Sequence, residues 1–64
     1  MNAKLALEGA MTAGGLTTED AASIAGISHS TVRGILAERH RPSRLTLNAL
    51  RQIPGFAERY DVAA

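Results

Sequence analysis

The segment 18–36 constrains the fold of this chain more than any other, because it indicates two short helices joined by a very short turn. Ala22 offers a small side chain where two steeply crossing helices bring their backbones together. Gly26, four residues later, suits the left-handed backbone conformation that so tight a reversal requires. The inner face of the second helix would then consist of Ile27, Val32 and Ile35.

The rest of the chain also predicts helices, because almost no window alternates apolar and polar residues with the period of a strand. We expect a first helix at residues 2–13, a helix 2 at about 18–25 and a helix 3 at about 29–39. A fourth helix would follow Ser43, and a short fifth helix would carry the two aromatic residues near the C-terminus. The expected fold class is therefore all-α: a compact domain of four to five helices, formed by residues 1–64 as a single unit.

Residues typical of helix ends stand at these boundaries. Thr17 is a good N-cap for helix 2, and Asp20 three residues on makes a weak form of the capping box. Ser28 would cap helix 3, and Ser43 would cap helix 4. The expected helix ends are marked by Gly14-Gly15, Pro42 and Pro54-Gly55. The expected inner faces are formed by Ala21, Ile24 and Ala25 in helix 2, and by Leu47, Leu50 and Ile53 in and after helix 4.

Length and composition exclude several classes of protein. A chain of 64 residues forms one core of marginal stability, and it contains no cysteine for disulfides or thiolate metal sites. His29 and His40 lie eleven residues apart without paired carboxylates, so we expect no metal site and no cofactor. A domain this small is expected to lack a pocket of several hundred cubic ångströms, so an enzyme or a small-molecule site is disfavoured. Neither a membrane span nor a secretory signal is visible, which favours an intracellular location.

The charges are distributed unevenly along a chain whose net charge is only +1. Between residues 33 and 51, five arginines and His40 face the single acid Glu38. This excess directly follows the centre of helix 3, and it favours a polyanionic partner. The alternative interpretation is a solvated arginine-rich surface.

Taken together, these segments resemble the lambda-repressor-like family, the five-helix domain of phage repressors, Cro proteins and many bacterial regulators and antitoxins. The resemblance is carried by a first helix, by the run LTTEDAASIAGISHSTV, by the Arg-Pro-Ser break at 41–43 and by LTLNAL at 45–50. It departs from the family at Thr18, where a phosphate-binding glutamine is frequent, and at Gly34, which lies inside helix 3. The resemblance implies a DNA-binding helix-turn-helix with helix 3 as the recognition helix.

The resemblance also implies which residues meet double-stranded DNA. The residues expected at base edges in the major groove are Ser28, His29, Ser30 and Arg33. The residues expected at the phosphate backbone are Thr17, Thr18, Thr31, Arg39, His40, Arg41, Ser43 and Arg44. The alternative for each is an ordinary exposed polar residue, with a capping role for the serines. An apolar strip expected at a homodimer interface, or closing the core, consists of Phe56, Tyr60 and Val62.

The function that these patterns favour is a sequence-specific transcriptional repressor of the phage Cro type, which binds a pseudo-palindromic operator as a dimer. One alternative is a small helical protein-interaction module, such as an antitoxin or a phage inhibitor. Another is an excisionase-like or MerR-like DNA-binding protein. Those folds begin the motif near the N-terminus and continue into a β-wing, whereas here a complete helix precedes Thr17 and no strand signal follows.

Overall fold

A computed structural model describes residues 2–39 and 41–62, and for Val62 it describes the backbone alone. This part of the chain forms five helices and no strands, so the predicted all-α class is confirmed. The domain is small, with a Cα radius of gyration of 10.1 Å. The helices are α1 (Ala3–Gly14), α2 (Thr18–Ala25), α3 (His29–Leu36), α4 (Arg44–Leu50) and α5 (Phe56–Val62).

The predicted N-caps are confirmed. The Thr17 hydroxyl accepts a hydrogen bond from the Asp20 backbone N–H at 3.1 Å, and the Asp20 carboxylate accepts one from the Thr17 N–H at 3.0 Å. Ser28 and Ser43 cap α3 and α4, where each hydroxyl accepts from the backbone N–H three residues on, at 3.1 and 3.2 Å. Three helices therefore begin where side chains satisfy backbone N–H groups that have no partner within the helix.

Glycine ends the first two helices, as the sequence predicts. Gly15 has a φ of 64° after α1, and Gly26 has a φ of 70° after α2. Both lie in the left-handed region, where a residue without a Cβ is favoured. The α2 bounds agree with the predicted range of 18–25.

The predicted end of helix 3 is wrong. The sequence suggests a helix to about residue 39 that Pro42 terminates, whereas α3 ends at Leu36. Glu38 adopts a φ of 57°, and its N–H donates to the Ile35 carbonyl at 3.1 Å. The Arg39 N–H then donates to the Gly34 carbonyl at 2.9 Å. These two bonds form a Schellman-type helix end, which here places a glutamate where glycine is usual.

The core is formed by all five helices and by the segment between α4 and α5. α1 packs against α3 and α5, and α2 packs against α3. The predicted inner face of α2 is wrong at Ile24, which is 41% exposed, whereas Ala22 is buried. The largest fully buried side chains are Phe56, Leu7, Ile35, Leu50, Ile53 and Val32.

Candidate nucleic-acid interface

The outer face of α3 carries the residues predicted to meet DNA bases. Val32 and Ile35 are buried, so the helix repeat leaves Ser30 and Arg33, three residues apart, exposed on one side. His29 is half-buried at the first position of the helix. The structure thus brings the predicted base-contacting residues to one edge of α3, together with the exposed cap Ser28.

The hydroxyl groups at the start of α3 are already engaged with one another. The Ser28 and Thr31 hydroxyl oxygens lie 2.7 Å apart, and the Ser28 oxygen also accepts from the Thr31 N–H. The two hydroxyls share one hydrogen bond, which leaves one proton of the pair to donate to an outside acceptor such as a phosphate oxygen. Ser43 and Thr46 form a similar pair at 3.1 Å at the start of α4.

The predicted backbone-contacting threonines differ in exposure. Thr17 is exposed and its hydroxyl oxygen is occupied by the capping box, whereas Thr18 is half-buried at the first position of α2. Thr31 is also half-buried, beside Ser28. A phosphate contact by Thr17 would therefore use its hydroxyl proton, because its oxygen already accepts the capping hydrogen bond.

The arginines after the centre of α3 fall into two groups. Four of them are exposed, and among the described residues none of the four forms an ion pair; they are Arg33, Arg39, Arg41 and Arg44. Arg51 is different, because its guanidinium donates two hydrogen bonds to Asp61 at 2.8 and 3.0 Å. These hydrogen bonds hold the pKa of the Asp61 carboxyl below its usual value. Arg51 thus joins the end of α4 to α5. It does not belong to the basic surface, by which we mean the four exposed arginines Arg33, Arg39, Arg41 and Arg44.

A groove of about 570 Å³ lies beside this basic surface, between the start of α1, the segment after α3 and α5. The expectation that so small a domain lacks such a pocket is therefore wrong. Its lining includes Lys4, Glu38, Arg39, Arg41, Leu47 and Tyr60. Lys4 and Glu38 were missed by the sequence analysis, since no local pattern connects residues so distant along the chain.

The strip predicted for a dimer interface is changed by the structure. Phe56 is fully buried, which agrees with the alternative that it closes the core and removes it from an exposed strip. Its ring stacks on Tyr60 with the centroids 5.4 Å apart, and Tyr60 is half-buried above it. The side chain of Val62 lies outside the described residues, and so does the predicted phosphate contact His40.

Comparison with known proteins adds no relative. No family model, no curated protein and no solved structure matches the chain. Within residues 2–39 and 41–62, no helix is long and apolar enough to cross a membrane. The same residues contain no group of three His, Asp or Glu side chains arranged to hold a metal ion.

Proposed function

We propose that this protein is a sequence-specific double-stranded DNA-binding repressor of the Cro type, in which α2 and α3 form a helix-turn-helix. The observation that carries the proposal is the exposed edge of α3 beside arginines that have no carboxylate partner among the described residues. α3 is an eight-residue α-helix, and the major groove, about 12 Å wide, admits a helix of about 10–12 Å in diameter.

In this proposal Arg33 reads sequence. Its exposed guanidinium has the planar pair of donors that matches the O6 and N7 acceptors of guanine. His29 and Ser30 would contact neighbouring base edges from the same end of α3. The hydroxyl pair of Ser28 and Thr31 would add a contact through the one proton that their shared hydrogen bond leaves over.

Arg39, Arg41 and Arg44 position the domain on the DNA backbone without reading sequence. Each is exposed, and their charges would be matched by phosphates on either side of the groove. Neutralising phosphates releases bound counterions, so affinity must fall as salt rises. Ser43 would assist at the start of α4 through the proton left over in its pair with Thr46.

A single recognition helix reads only a few base pairs, so two copies are required to mark a site in a genome. A twofold axis would place their recognition helices about 34 Å apart on a pseudo-palindromic operator. With Phe56 in the core, the exposed edge of Tyr60 on α5 becomes the centre of the dimer contact. Such a protein would act in the cytoplasm of a bacterial host cell, by occupying an operator that polymerase or a competing repressor also needs.

Selection of bound duplexes from a random pool, followed by salt titration, tests this proposal. We expect a symmetric consensus and a log–log salt slope on the order of −7 to −11 for a dimer. Arg33→Ala should weaken binding to the best site by about 1–3 kcal/mol and remove the preference at one base-pair position. Arg41→Ala, the matched control, should weaken all duplexes similarly and make the salt slope shallower.

Two results would contradict the proposal at different levels. A wild-type salt slope near zero would exclude DNA as the partner and favour a protein-interaction module. An unchanged selected sequence with Arg33→Ala would leave DNA binding in place and show that α3 does not read the bases.

A further inference from the structure

The groove beside α1 is lined by both cationic and apolar side chains. Three cationic side chains line it, namely Lys4, Arg39 and Arg41, and Glu38 is the one carboxylate among its described lining residues. Leu47 and Tyr60 contribute apolar surface. A groove with this excess of cations favours an anionic occupant.

Glu38 adopts a backbone conformation that is unfavourable for a residue with a Cβ atom. Its φ of 57° lies in the left-handed region, and it is the one residue other than glycine with a positive φ in the described chain. Residues held in such conformations concentrate where a ligand or a switch requires them. The Glu38 backbone bond to Ile35 accounts for the bend, but it gives no reason for a carboxylate at the bend.

The carboxylate of Glu38 meets Lys4 across the groove. The Lys4 ammonium nitrogen lies 3.7 Å from a carboxylate oxygen, which is longer than a direct hydrogen bond, and the two side chains are 31% and 57% exposed. An exposed pair at this distance contributes little to stability, and another anion could replace the carboxylate at small cost.

We infer that Lys4, Arg39 and Arg41 form a binding site for one phosphate of the DNA backbone, and that Glu38 occupies this site in the free protein. The inference rests on the proposed function, and it extends the basic surface to Lys4 on α1. Arg39 and Arg41 link the groove to that surface because they belong to both. When DNA binds, a phosphate oxygen replaces the Glu38 carboxylate as the partner of the Lys4 ammonium group, and no covalent bond changes.

Salt-dependent affinities for a random-sequence duplex test the inference, with the wild type and four variants: Lys4→Gln, Glu38→Gln, Glu58→Gln and the double variant of Lys4 and Glu38. Lys4→Gln should weaken binding to every duplex and make the slope shallower by about 0.9 per protomer. Glu38→Gln should tighten binding by about 1.4- to fivefold, the range of an exposed ion pair. In the double variant, the Glu38→Gln change should tighten binding relative to Lys4→Gln alone only as much as Glu58→Gln tightens binding of the wild type.

Glu58→Gln is the matched control, because it removes the same charge from an exposed position on α5 outside the groove. Glu38→Gln keeps a side chain at the left-handed position, so thermal melting should show an intact fold. Equal gains from Glu38→Gln and Glu58→Gln, or an unchanged slope with Lys4→Gln, would overturn the inference while leaving DNA binding intact. A wild-type slope near zero would overturn both the inference and the proposed function.

Discussion

The turns that end α2 and α3 have the same backbone conformation but are built from different residues. Gly26 has a φ of 70° and Glu38 a φ of 57°. After each, a backbone N–H donates to a carbonyl five residues earlier, at 3.1 Å from Ile27 and 2.9 Å from Arg39. The sequence therefore predicts the left-handed turn at Gly26, whereas it does not predict the same turn at Glu38.

The two turns also differ in what surrounds them. A Cβ built at Gly26 meets no atom within 4 Å, so the glycine is required by the backbone conformation rather than by space. Glu38 adopts the bend against its preference, opposite Lys4 and directly before Arg39. The first turn is relaxed and joins two packed helices, while the second is strained and lies in the basic surface.

The largest effect is expected from Gly26→Val, which tests whether the first turn depends on glycine. A β-branched residue at this φ is strained by about 1–3 kcal/mol, a large part of the roughly 3–5 kcal/mol available to so small a domain. The melting temperature should fall by about 4–8 °C for each kcal/mol lost. Ser23→Val on the exposed side of α2 is the control, and it should change melting little. Equal melting of the two variants would mean that the bend does not need glycine.

A smaller effect of opposite sign is expected from Glu38→Gly. Glycine removes left-handed strain of about 1–2 kcal/mol but makes the unfolded chain more flexible, so the net gain should be about 0.5–1 kcal/mol. Glu38→Gln separates charge from conformation, because it loses the carboxylate and keeps the strain. Thermal melting of both variants measures the difference. A Glu38→Gly protein less stable than Glu38→Gln would show that the second turn is not strained.

The smallest effect is expected at the contact between the end of α4 and α5, where the Arg51 guanidinium donates two hydrogen bonds to the Asp61 carboxylate. Hydrogen bonding to Arg51 lowers the pKa of Asp61, so the contribution of the pair is present above the ordinary aspartate pKa of about 3.9. It is lost as the pH falls through the lowered pKa of the folded state. Asp61→Asn should therefore melt slightly below the wild type at neutral pH, and the gap should close as the pH falls below the lowered pKa of Asp61.

Glu58→Gln on the same helix is the control for that titration, because Glu58 forms no ion pair among the described residues. A gap between Asp61→Asn and the wild type that persists unchanged into acid would show that the pair with Arg51 does not stabilise the fold.

Much of the candidate interface was predictable because its parts are local. Ser28 and Thr17 are recognisable as caps from a few neighbouring residues, and the helix repeat alone places Arg33 on the side of α3 away from the buried Ile35. The end of α3 was not predictable, because no residue from 37 to 39 has an intrinsic preference for the left-handed conformation that Glu38 adopts. DNA binding, dimer formation and recognition of a symmetric operator stay predictions, and the duplex selection and the salt titration test them.

The sequence by itself determined the all-helical class, the N-caps of α2, α3 and α4 and the glycine turns after α1 and α2, because each depends on hydrogen bonds between residues at most five positions apart. Only the tertiary structure decided that Phe56 lies inside the core and Ile24 outside it, and that Lys4 meets Glu38. The physical reason is that burial and ion pairing depend on which helix covers a given face. That choice is made by packing between segments far apart in the chain, as when α5 closes over α1.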